Sequence, residues 1–599
     1  MLAATAALVA STLRLRSPGV FAVAWWVLVC AEVVAGAELL SLAHALRPLG
    51  YTLVEGVALL VALAVWHRAG RPRPPLPSGL SVRSVGAWLV AALALVVLVG
   101  LAYELFLVVA TPPNTWDSMH YHLARAAAWH AQGDLGYFPT HNAIENVYPQ
   151  NAELLMLWTV TFLGRDVLAA LPQLLASLAT ASSVFVIARR LGYERRAAAF
   201  SALLFPTLTI VALESVTTQN DLVEASFVAA AVALALGRTR VETVLAGLAL
   251  GLAAGTKLTF LYAVPALVAI GLLALPRRRL VELCCAGVAG FALLGSYAYV
   301  QNVVETGRPQ GKAQQVSDLP PDVTFAGTVS SIARTGYRLV DLSGFHPPAA
   351  LTAHIAGAAK RTFGALHIPP NPSASTTKGT FEFTYEPNTT ASEDSSALGP
   401  LGLLLLVPLS LGFLVAWARR RTDRVRGALA LALPLYVVAL ALGTRWNLYV
   451  DRFLVTPAAL TLPLVPSVLG RLPVRAALAV AAAATLAVAL AYDASKPRGV
   501  WNRSRADAQA IRWPELQPVL EAVQARVPAG ARLGVDLASL DWEYPWWGPR
   551  LERRIVWLPE QPAAGLDWAL LGSRISTRPP GHWCAQRFPS AHWTLLHRC

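Results

Sequence analysis

The feature that most constrains this chain is a long succession of apolar runs, each able or nearly able to cross a bilayer as a helix. In hydrocarbon every backbone N–H and C=O needs an internal partner, so runs of this length imply helices. They extend over Gly19 to Leu40, Tyr51 to Trp66, Val85 to Ala110, Val167 to Ala188, Ala198 to Leu213 and Leu222 to Leu236. They continue over Val241 to Ala254, Leu258 to Leu275, Leu280 to Val300, Leu398 to Trp417, Gly427 to Leu442, Phe453 to Leu469 and Val474 to Tyr492. The expectation is an all-α polytopic membrane helix bundle of about thirteen spans. Only 14% of the residues are charged and 55% are hydrophobic, against about 25% charged in soluble domains. The first run reads as a span and not a signal peptide, because no small-residue cleavage site with a polar mature sequence follows it.

Basic residues supply the expected orientation. Clusters occur at Arg14 and Arg16, His67 to Arg73, Arg189 to Arg196, Arg238 and Arg240, Arg277 to Arg279, Arg419 to Arg426, and Arg471 with Arg475. If the spans alternate, all of these fall on one side, which the positive-inside rule makes cytoplasmic. The N-terminus is then inside and the C-terminus outside, in a cell inner (plasma) membrane. The same distribution explains the net charge of +14 without nucleic acid, which is excluded as a partner.

Three long segments are left outside: 111–166, 301–397 and the tail 492–599. The predicted organisation is therefore a membrane region over 1–491 and an extracytoplasmic domain over 492–599. In the first loop, Ala152 to Leu163 is predicted to lie along the membrane surface. In the second, Pro369 to Asn388 is rich in Pro, Ser and Thr and predicted to be irregular. The tail has ordinary polarity. Arg532 to Val535, Asp567 to Leu571 and Trp593 to Leu596 read as strands and Pro514 to Val527 as a helix, which predicts a small α/β domain. Cys584 and Cys599 both fall in the exported tail, where oxidation permits a bridge, whereas Cys30, Cys284 and Cys285 lie in apolar runs. The tryptophans Trp542, Trp546 and Trp547 suit either a sugar-stacking surface or a core, and the core is the commoner use.

Chemistry is concentrated at the start of the first outer loop, Asn114-Thr115-Trp116-Asp117-Ser118-Met119-His120-Tyr121-His122-Leu123-Ala124-Arg125. A carboxylate just outside a long span, beside Trp and two His, sits where the dielectric falls and becomes a candidate proton acceptor. The competing structural reading is that Asp117 caps the Ala-rich helix that follows. Other span ends carry similar polarity: Gln219-Asn220-Asp221, then Lys257, then Arg445 and Arg452. A lone cation at a helix end is commonly a snorkelling anchor, but outer-side cations are scarce here. Together with Asp117 and Asp221 they suit a site that holds a phosphate and activates an acceptor.

These residues resemble a family. Trp116 to His122, with Tyr137-Phe138-Pro139-Thr140 and Tyr148-Pro149-Gln150-Asn151-Ala152-Glu153, is similar to the first outer loop of GT-C glycosyltransferases of the family 39-like kind. That group includes protein O-mannosyltransferases and lipid A aminoarabinose transferases. Gln219-Asn220-Asp221, Gly247 to Gly251 running on to Lys257, Asn302 to Pro309, Ser392-Glu393-Asp394 before Gly399-Pro400-Leu401-Gly402, and Arg452-Phe453-Leu454 continue the ordered series. The resemblance implies inverting transfer of a sugar from a polyprenyl-phosphate donor to a glycan, lipid or protein acceptor on the outer face. It implies Asp117 as general base, Asp221 as a second acidic position, and Lys257, Arg445 and Arg452 as phosphate-binding residues. His120, Tyr121, His122 and Arg125 become candidates for binding substrate. Protein O-mannosyltransferases usually carry an acidic pair in this loop, and here Ser118 follows Asp117, which leaves the acceptor open.

No metal or other cofactor is expected. His120, His122, Asp117 and Glu145 form the one cation set considered, and it is not favoured. The rival from another class is a transporter using Glu32, Glu38, Glu55 and Glu104 within the spans. Against it stand the absence of matched broken helices in two halves and the concentration of polar residues in outer loops.

Overall fold

The computed structural model describes residues 1–76, 85–311, 324–372, 377, 381–561 and 565–599. Among the described residues, six helices are long and apolar enough to cross a membrane: Pro18–Ser41, Pro48–Arg68, Gly86–Ala110, Leu171–Arg190, Arg424–Gly443 and Leu472–Tyr492. The pair Arg277–Leu294 and Tyr297–Thr306, bent by 60°, brings the number to as many as seven. Several other apolar runs form shorter or interrupted helices. Ala198 to Leu213 is split into Arg195–Leu204, a 3-10 turn Phe205–Thr207 and Thr209–Glu214. Phe453 to Leu469 is split into Val455–Thr461 and a 3-10 segment Leu462–Val468. Prolines 206, 463 and 466 sit in these breaks, where each removes an N–H and so a turn of the α ladder.

The helix Asp221–Ala235 is buried at every position and forms the axis of the bundle. Leu171–Arg190 and Arg240–Ala254 pack on it, and Arg277–Leu294 packs in turn on Arg240–Ala254. That last contact is set by glycine: a Cβ on Gly251 would overlap the backbone of Gly290, and one on Gly290 would overlap Gly247. Small residues four apart let two backbones touch, which is how helices gain packing in a solvent as apolar as themselves. Gly251→Val is therefore expected to force the two helices apart and destabilise the protein by about 1–3 kcal/mol. A fall in melting temperature in detergent, with Ser at the same position causing a smaller fall, is the check. Elsewhere the bundle is apolar on the outside: Leu53, Val57, Leu60 and Val61 on Pro48–Arg68 are all exposed, a surface that suits lipid and not water.

The helix Asn151–Leu163 corrects one expectation. It lies inside the protein, buried at nearly every position, because it is apolar around most of its circumference and lacks the polar face a surface helix needs. Asn151 donates from Nδ2 to the carbonyls of Leu252 (3.1 Å) and Leu294 (2.7 Å), satisfying the ends of two neighbouring helices. In the second loop, helices Phe325–Arg338 and Ala349–Ala365 form, and the described part of 369–388 has neither helix nor strand. Residues 373–376 and 378–380 of that stretch lie outside the described residues.

The tail builds a five-stranded sheet from β1 (Arg532–Asp536), β2 (Arg554–Trp557), β3 (Trp568–Leu571), β4 (Trp583–Phe588) and β5 (Trp593–Arg598). Its order is β2-β1-β3-β5-β4, with β1 parallel to β2 and β3 and with β5 antiparallel to β3 and β4. The helix lies at Gln517–Arg526. Cys584 and Cys599 are joined, Cα to Cα 5.4 Å. Trp542, Trp546 and Trp547 are buried, so they serve as core. Trp116 of the first loop stacks on Trp513 (5.4 Å between ring centroids) and meets the edge of Trp542 (5.5 Å). The backbone N–H of Glu543 donates to Met119 O at 3.2 Å. The tail thus grips the loop that carries Asp117 from both sides of that residue.

Candidate active site

Asp117 precedes a π-helical turn, Ser118–His122, which runs into the helix Leu123–Gln132; Gly133, in the left-handed region, ends it. A π turn widens the helix and re-aims the residues on it. Asp117 makes no side-chain cap bond. Its carboxylate instead accepts from Arg452 Nη1 at 2.8 Å and from the Tyr121 hydroxyl at 3.3 Å. The capping reading is therefore set aside by geometry.

Arg452 is the hub. It sits in the short helix Val450–Phe453, and the same Nη1 donates to Asp394 Oδ1 at 3.2 Å, while Nε lies 3.9 Å from Asp221 Oδ2. Asp221 opens the buried axial helix and accepts from Lys257 Nζ at 2.6 Å. Three carboxylates from three distant segments therefore surround one guanidinium, with Lys257 closing the far side. The guanidinium is also flanked by the rings of Tyr449 and Phe453, 5.7 and 5.6 Å from their centroids. Side-chain exposure ranks the acids: Asp117 17%, Asp394 12% and Asp221 1%. Asp117 is the one most open to an incoming molecule.

The charges divide unevenly. Burial alone would raise the Asp117 carboxyl, but Arg452, with help from His122 and Lys257, more than offsets this and holds it well below the ordinary carboxylate range. Asp394 goes the other way: burial, then the neighbouring Glu393, push it up to about 8. The pair Asp117 and Asp394 thus shares Arg452 with the first ionised and the second holding its proton at neutral pH.

The other residues singled out in the sequence are distributed as follows. His120 Nε2 lies 2.9 Å from Ser539 O in the tail, and His122 Nδ1 lies 2.6 Å from Glu153 Oε1 in the interior. Arg125 is fully buried; it donates to the carbonyls of Tyr148 (2.7 Å) and Pro149 (3.2 Å) and stacks over Trp129. These side chains shape the loop from within. Arg445 makes no ion pair among the described residues, and its Nε is buried without a hydrogen-bond partner. Asp394 stands in the sequence within the run Ser392-Glu393-Asp394, and the signal that marks it is its place beside Glu393 just before an apolar stretch. A further buried set was not anticipated: the Ser495 hydroxyl donates to Glu393 (2.6 Å), and Lys496 Nζ donates to Pro112 O (2.6 Å), beside the loop.

A cavity of about 690 Å³ opens between the helices next to this cluster. Leu250, Leu261, Val264, Val268, Val288 and Phe291 are among its lining residues, and Lys257 is the one charged residue in that lining. The ammonium that pairs with Asp221 therefore also lines a cavity made mostly of hydrocarbon, with Tyr299 and Gln310 among its few polar residues.

No protein-family model matches the chain, and no curated protein matches it in sequence. Among solved structures it is similar to ArnT from Cupriavidus metallidurans bound to undecaprenyl phosphate, with a TM-score of 0.50 and 13% identity. That match covers 86% of this chain and 98% of the other. The apo form of the same protein aligns with a TM-score of 0.48 and 14% identity, over 82% and 94% of the two chains. The chain therefore has an ArnT-like fold.

Proposed function

We propose that this chain is a membrane glycosyltransferase that moves a sugar from a polyprenyl-phosphate carrier to an acceptor on the outer face of a cell inner membrane. The observation that carries the reading is the apolar cavity with Lys257 in its lining, joined through Asp221 to Arg452 and Asp117. A hydrocarbon chain ending in phosphate matches that sequence of environments. The ArnT-like fold supports it, since that neighbour is described with undecaprenyl phosphate bound. In this reading residues 1–491 form the catalytic membrane region, with the N-terminus cytoplasmic, and 492–599 form an extracytoplasmic domain that holds the Asp117 loop.

Inverting transfer needs an acceptor atom to attack the anomeric carbon from the face opposite the phosphate. The bond between that carbon and the phosphate oxygen breaks, and the phosphate leaves with the electron pair. Lys257 and Arg452 receive that charge, and Arg445 is a further phosphate-binding candidate by the family resemblance. Asp117 takes the proton from the acceptor hydroxyl or amine. Without substrate Arg452 depresses the basicity of Asp117; a phosphate competing for the guanidinium would release the carboxylate and raise it as the donor binds. Asp221 holds Lys257 in place, and the Tyr121 hydroxyl holds Asp117. No cofactor is required by this chemistry.

The transporter alternative is less well supported. Glu55 accepts a hydrogen bond from the Trp158 indole at 2.6 Å and so has a structural use, and the ArnT-like fold does not favour transport.

The test is transfer from radiolabelled polyprenyl-phosphate sugars to a membrane extract by the protein in nanodiscs. No transfer from any lipid-linked donor would sink the proposal. A pH dependence follows from Asp394. Below about 8 it is neutral, and above about 8 it adds a negative charge beside Arg452 and Asp117. Donor affinity is expected to fall as pH rises through that value, and Asp394→Asn to abolish the fall. A donor-binding isotherm independent of pH between 7 and 9 in the wild type would contradict this.

A further inference from the structure

Where the tail meets the first outer loop, three ligand-bearing side chains converge outside the cluster around Arg452. They are His141, Glu145 at the start of the short helix Ile144–Val147, and Glu543 just ahead of the turn Tyr544–Trp547. One ligand atom from each lies within 4.8 Å of the others. All are withdrawn from solvent, with side-chain exposures of 1% for His141 and 4% for Glu543 and residue exposure of 0% for Glu145.

The hydrogen bonds within the cluster do not satisfy it. His141 Nε2 lies 3.0 Å from the carbonyl of Asp541, so this nitrogen carries the proton and the lone pair resides on Nδ1. Nδ1 faces Glu543 Oε2 at 3.2 Å, so either a proton or a metal ion bridges the two atoms. The Thr140 hydroxyl lies 3.1 Å from Glu145 Oε2 and 3.3 Å from Glu543 Oε2, and its single hydrogen serves one of them. Glu145 Oε1 has no partner. Two buried carboxyl groups and an imidazole nitrogen directed into one small space take up either protons or a cation there.

We propose that His141, Glu145 and Glu543 form a divalent-cation site that fastens the tail to the first outer loop. One imidazole nitrogen and two carboxylates are a donor set for zinc, with a fourth position for water. The set differs from the one considered in the sequence: His120, His122 and Asp117 are bonded to Ser539, Glu153 and Arg452. The site stands independently of the transfer chemistry. Its place between Asp117 and the sheet makes it a pin for the loop.

The test uses the full chain, purified in detergent through a tag without histidines, stripped with EDTA and dialysed against zinc. About one zinc per chain is expected by mass spectrometry, together with a rise of several degrees in melting temperature. Glu543→Gln and Glu145→Gln are expected to lose both. A wild type that takes up no zinc, as it would if a proton fills the site, overturns the proposal, as do variants that retain the metal. X-ray absorption of the zinc-loaded wild type gives a check that needs no variant. One imidazole with oxygen ligands is expected, and sulfur ligands or several imidazoles would overturn it.

Discussion

Asp117→Asn is expected to lower kcat for sugar transfer by on the order of 10³-fold while leaving donor affinity intact. The amide keeps the size of the carboxylate and its place beside Tyr121, so the loop has no reason to refold. What it loses is the capacity to take a proton. Asp117 is the most exposed of the three acids around Arg452, and thus the one an acceptor can reach. Removing its charge also removes a competitor for the guanidinium, so donor binding should hold or tighten slightly. The measurement is single-turnover transfer in nanodiscs beside a donor-binding isotherm. Wild-type turnover in a correctly folded Asp117→Asn protein would take this residue out of the mechanism.

Arg452 should be the residue least tolerant of change. Arg452→Lys keeps the charge but not the planar fork that reaches Asp117 and Asp394 from one nitrogen and Asp221 from another side. A loss of about 10²-fold in kcat/KM is expected, carried by both donor affinity and turnover. Arg452→Met goes further by leaving the ionised Asp117 without its partner cation, while Asp221 keeps Lys257. That costs about 3–5 kcal/mol where one partner of a buried pair is removed. The expected signature is a drop in melting temperature that is partly relieved at low pH, where the acids bind protons. If Arg452→Met melted like the wild type at pH 7, the charge on Asp117 would not depend on this cation, and the account of the site would fail.

The bundle was legible because bilayer physics writes itself into runs of apolar residues, whatever contacts they later make. What the runs could not show is which of them would be interrupted. Prolines 206, 463 and 466 were visible, but a proline in lipid can kink a helix or end it, and neighbouring helices decide which. Ala152 to Leu163 reads in the sequence as an amphipathic stretch along the membrane surface. Burial on nearly all sides depends on Asn151 finding the carbonyls of Leu252 and Leu294, about a hundred residues away or more. In the tail, β1, β3 and β5 were read from their apolar runs, whereas the four-residue β2 and β4, whose apolar run is broken by Gln586 and Arg587, were missed.

The candidate site divides along the same line. By itself the sequence determined that Asp117, Asp221, Lys257 and Arg452 lie at span ends, since hydrophobic length locates the ends of helices. Only the tertiary structure decided that Arg452 is held by Asp117, Asp221 and Asp394 together, that Arg125 and His122 turn inward, and that Glu543 meets His141 and Glu145. The physical reason is range. Burial along a helix follows from the residues of that helix, but the pairing of buried charges is settled by segments far apart in sequence.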